Sequence, residues 1–91
     1  MFNKLKQFKD LKSQAKLMQD ALAGEKITEE KGGITISMNG NMEVLSVAIT
    51  SGLTKEVIEL GVKNCMNEAI KKTQRLMAKK MQEMGGFPGL N

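Results

Sequence analysis

Two runs of cations are the residues of this 91-residue chain best placed to do chemistry: Lys9, Lys12 and Lys16, then Lys71, Lys72, Arg75 and Lys79. Their spacings of one, three and four residues gather each run on one side of a helix, where successive residues turn by about 100°. The chemistry is ionic rather than covalent, because such a stripe neutralises a row of anionic oxygens, above all phosphates. Charge is also sorted along the chain. Residues 1–23 carry five lysines against two aspartates, and residues 54–91 carry seven cations against four glutamates, a net of +3 in each segment. Residues 24–53 are net −2. A polyanion responds to local cation density more than to net charge, so nucleic acid is the first candidate ligand.

Other chemistries are poorly served. The chain has no histidine, so no nucleophile–histidine pair and no proton shuttle near neutral pH exists. Its glutamates are expected on solvated faces, not as a pair in an apolar cleft. One cysteine cannot form an internal disulfide, and without histidine a transition-metal site is not expected. Gly32-Gly33 and Gly85-Gly86 lack the following lysine and helix of a phosphate loop. We therefore expect no enzyme, no cofactor, no metal and no small-molecule substrate. The lysine-bearing start lacks the apolar run of a signal peptide, and no stretch approaches the roughly 20 apolar residues of a membrane span. With a single thiol, the expectation is a cytoplasmic protein with no membrane partner.

The kind of nucleic acid follows from what accompanies the lysines. Lysine is a point charge for phosphate, not a reader of bases, and there is one arginine. With three phenylalanines, no tyrosine and no tryptophan, there is no platform for stacking unpaired bases. The expected ligand is double-stranded DNA, held by its backbone with little sequence selectivity. A single lysine stripe is usually only a solvated surface. Two stripes around an acidic middle favour the nucleic-acid reading. The alternative is a protein–protein adaptor that grips partner helices with Met66, Met77, Met81 and Met84.

The elements that must position these cations read as an α+β chain in one domain: a helix, a small antiparallel sheet of two or three strands, and a long second helix. Residues 3–23 form the first helix, with Phe8, Leu11, Ala15, Met18 and Leu22 as its apolar seam. Strands are expected at about 26–30, 33–39 and 42–50, the first weakly patterned. Asn39-Gly40 is read as a short-range hairpin signal, since both residues tolerate positive φ. Apolar residues on both faces of 42–50 suggest a central strand covered on both sides. The second helix covers about 54–84, capped by Thr54, with Cys65 at a core position and Lys71, Lys72, Arg75 and Lys79 on the side away from its seam. It is longer than so small a sheet can cover, so its end must project or meet another subunit. A tail spans 85–91. With so few aromatic residues the core is thin, and chains of this size commonly gain stability by association, so a homodimer is expected.

In this order the segments resemble the YbaB/EbfC family of bacterial nucleoid-associated proteins. The likeness rests on Lys16-Leu17-Met18-Gln19-Asp20, on Gly32-Gly33 leading into Ile34 to Gly40, and on Asn67-Glu68-Ala69 with Lys71-Lys72. The closing Met84-Gly85-Gly86-Phe87-Pro88-Gly89-Leu90 completes it. It departs at Ser51-Gly52-Leu53-Thr54, where many relatives carry an acidic-proline pattern. The resemblance implies a cytoplasmic, nucleoid-bound homodimer with projecting, tweezer-like helices. It implies DNA contact through Lys9, Lys12, Lys16, Lys71, Lys72, Arg75 and Lys79.

Overall fold

Gly32 and Gly33, with φ of 58° and 84°, turn the first strand directly back on the second. Both central residues in the left-handed region make the two-residue turn whose twist suits an antiparallel hairpin, and glycine adopts it without steric penalty. The computed structural model describes residues 2–83, with side chains from Lys12 onward, so the expected 85–91 tail and the Lys9 side chain lie outside the described residues. Its elements are α1 (Phe2–Ala23), β1 (Lys26–Lys31), β2 (Ile34–Asn39), β3 (Val44–Ile49) and α2 (Lys55–Glu83). The α+β class and the element order agree with the sequence expectation, and β1 is a full strand.

The sheet is antiparallel in the order β1-β2-β3, so β2 is central. Ile34, Ile36 and Met38 are buried and form the core with Cys65 and Ala69 of α2. On the other face Thr28, Ser37 and Ser46 stand in register across the strands, with a 3.0 Å hydroxyl–hydroxyl hydrogen bond between Thr28 and Ser37.

Two expectations need correcting. β3 is an edge strand and exposed along its whole length, not a covered central one. Val47 and Ile49 stand opposite Ile36 and Ile34, and a bulge at Leu45 brings Val44 opposite Met38, so these three continue the core-facing row. That row lies past the helix, with Val44, Leu45, Val47 and Ile49 each 48–54% exposed. The hairpin signalled by Asn39-Gly40 does form between β2 and β3, but the positive φ expected of that pair falls elsewhere. Residues 40–43 form the loop, and the left-handed backbone falls on Met42 at φ 64°. Asn39 organises this loop from a buried position: its Oδ1 accepts from the Asn41 and Glu43 amides, and its Nδ2 donates to Glu43 Oε1.

A 29-residue helix is about 43 Å long, whereas a six-residue strand spans about 20 Å. α2 therefore outruns the sheet, and none of its fully buried residues lies beyond Thr73. The C-terminal end of α1 is pinned to the loop after β2: the Gly40 amide donates to Leu22 O at 2.9 Å, and Asn41 Nδ2 donates to Gln19 O at 3.0 Å. Met18 and Leu22 are buried there. The molecule is elongated, 64 × 19 × 18 Å.

Candidate nucleic-acid interface

How α2 lies on the sheet decides which of its cations reach solvent. Thr54 starts the helix as expected, with Oγ1 accepting from the Val57 amide at 3.2 Å. Gly61, Cys65, Ala69 and Thr73, four residues apart, are its buried face. Cys65 donates its thiol to the Glu29 and Ile34 carbonyls at 3.1 and 3.4 Å, so it serves as a buried anchor over β1 and β2. Gly61 likewise lies over the β1–β2 turn. The flank running through Val62, Met66 and Ile70, about a quarter-turn or more round from that face, is half-buried and apolar. The opposite flank carries the cations.

These cations divide into two groups. Lys72 Nζ pairs with Glu29 Oε2 at 2.5 Å, and Lys80 Nζ with Glu25 Oε1 at 2.9 Å, with Glu83 at 3.9 Å. The hydrogen bond and charge of Glu25 hold the Lys80 ammonium above its ordinary pKa. Lys72, expected on the solvated side, is thus turned to the sheet. Lys71 is only 3.9 Å from Glu68 within the helix. Arg75 and Lys79 are exposed and pair with no acid among the described residues. On α1, Lys12 and Lys16 are exposed and similarly unpaired among the described residues. They edge an open concavity of about 620 Å³ with Ser13, Ala15 and Gln19. Lys9 belongs to α1.

Glu29 is the residue that sequence reading missed. It was expected to be an ordinary surface glutamate, yet it stands in register with buried Ile36, on the same side of β1 as Ile27. The two-residue period counted from Ile27 was the signal that could have found it.

The chain is thus a small α+β protein with overhanging, lysine-bearing helices, and among the described residues it holds no cluster of metal-ligating side chains. Residues 1–87 match the YbaB/EbfC DNA-binding family, and the chain belongs to it. It is 33% identical over 92 residues to a nucleoid-associated protein of Nitrobacter hamburgensis, covering 94% of this chain and 87% of that protein. It is 36% identical over 90 residues to one of Aliarcobacter butzleri, covering 94% and 80%. An uncharacterized protein of Helicobacter pylori shares the fold, with a TM-score of 0.78, 20% identity and coverage of 94% and 98%.

Proposed function

We propose that this chain is a nucleoid-associated protein that binds duplex DNA with little sequence preference, as a homodimer, within the bacterial cytoplasm. Family membership makes DNA the ligand class, and the names of the relatives support the nucleoid. The observation that carries the backbone mechanism is the set of solvent-facing cations, Lys12, Lys16, Lys71, Arg75 and Lys79, on two helices that extend past the sheet. Lysine and arginine without buried acid partners give up only hydration when they meet phosphate. Binding is then driven by release of the counterions condensed on DNA. Lys9 is proposed as a member of the same stripe, and Lys72, paired with Glu29, is left out of the contacting set.

The dimer reading is supported by β3. Its outer edge offers backbone donors and acceptors that no other described strand pairs, and no described element covers half-exposed Val44, Leu45, Val47 and Ile49. Such an edge is an aggregation hazard unless it is paired. A second copy, with the same strand antiparallel about a two-fold axis, covers both edges at once. Each subunit then carries its cationic helices, and a dimer presents two sets to one duplex.

Mobility-shift titrations on several unrelated duplexes at low salt test the reading. Comparable shifts on all of them are expected. Absence of any shift, or a shift on one sequence alone, would refute it.

A further inference from the structure

We infer that Glu29 withholds Lys72 from DNA, so that this carboxylate of the first strand, and not the cation content of α2 alone, sets how many phosphates the helix neutralises. The inference rests on the DNA-binding reading above and concerns the bookkeeping of its charges.

Glu29 occupies a core-facing position of β1 beneath α2, and its side chain is 12% exposed. A carboxylate so far removed from water requires a cation beside it, because loss of the partner leaves an uncompensated, partly buried charge. Lys72 supplies that cation at 2.5 Å. Moving the ammonium to a DNA phosphate would exchange one anion for another and strand the carboxylate. Lys71 faces no such cost: its side chain is 63% exposed, and its 3.9 Å pair with Glu68 is a surface contact of the kind that contributes little. Lys80 pairs with Glu25, the residue just before β1, so two of the α2 cations are engaged by acids outside their own helix. The Lys72 side chain is nevertheless 46% exposed, so the ammonium has a route to solvent once Glu29 no longer holds it.

The salt dependence of binding counts phosphate contacts, at a slope of about −0.9 in log K against log salt for each one. Slopes on a fixed duplex are therefore compared for the full chain and for E29Q, K72M, E29Q/K72M and E30Q. Glu30 lies on the opposite face of β1, in register with Thr35 and exposed, so E30Q makes the same change in net charge without freeing a lysine. E29Q is expected to steepen the slope by about 0.9 for each Lys72 brought into contact. K72M alone should leave the slope unchanged, K72M added to E29Q should cancel the gain, and E30Q should leave the slope alone. The double variant carries neither charge, so it keeps the comparison open if K72M alone folds poorly. A flatter slope in K72M, or equal slopes in E29Q and E30Q, would overturn the inference while leaving DNA binding intact. A wild-type chain that binds no duplex would remove the underlying reading as well.

Discussion

Gly61 meets Ile34 so closely that a Cβ on the glycine would lie 2.7 Å from Ile34 Cγ1, with the Lys31 and Gly32 carbonyl oxygens at 3.3 and 3.4 Å. This contact sets the depth at which α2 sits on the β1–β2 turn. It thereby sets where Lys72 meets Glu29 and how far the helix overhangs. Alanine is the better helix former by about 1 kcal/mol. Overpacking against a buried isoleucine and backbone costs about 1–3 kcal/mol. Gly61→Ala should therefore lower the urea midpoint, by roughly 1 kcal/mol in stability. A higher midpoint would show that the close approach is not what this position demands.

Met42 holds a left-handed backbone that costs a non-glycine residue about 1–2 kcal/mol, and asparagine tolerates it better. Met42 is exposed, so its side chain contributes little to the core. Met42→Asn should stabilise the fold by about 0.5 kcal/mol or more. Met42→Val, with a branched Cβ at positive φ, should destabilise it. Thermal unfolding of the two variants reads the difference directly, and the reverse order would contradict the loop geometry.

Val47 stands on the exposed row of β3. Val47→Lys places two like charges at the self-paired edge, at a position that is half-exposed in the single chain although it stands opposite Ile36. The expected result is a halved mass in light scattering and a melting temperature that no longer rises with protein concentration. An unchanged mass would move the association surface elsewhere.

Much of this was legible in the chain. The Thr54 cap of α2 and the buried Cys65 are local patterns, and they came out as read. β3 did not, because apolar residues on both faces look alike whether a neighbouring helix or another molecule covers them. The hairpin at Asn39-Gly40 was legible but its loop was not, because the buried Asn39 side chain braces four residues through Asn41 and Glu43 and the positive φ falls on Met42. Lys72 was grouped with its neighbours because a helical projection locates cations only relative to the helix's own seam. Its partner lies 43 residues away on another element, at a register position that becomes visible only once β1 is paired with β2. The cations of Arg75 and Lys79 could be read from sequence as exposed because no distant acid claims them among the described residues.

The most direct test of DNA binding through exposed helical cations is the salt dependence of duplex affinity, measured by fluorescence anisotropy from about 50 to 200 mM monovalent salt. Two unrelated duplexes and the variant R75A/K79A suffice. The account predicts a steep linear fall of log K with log salt, equal on both duplexes, and a slope flatter by about 0.9 for each phosphate contact the variant loses. Affinity indifferent to salt, or a variant slope identical to that of the parent chain, would contradict it.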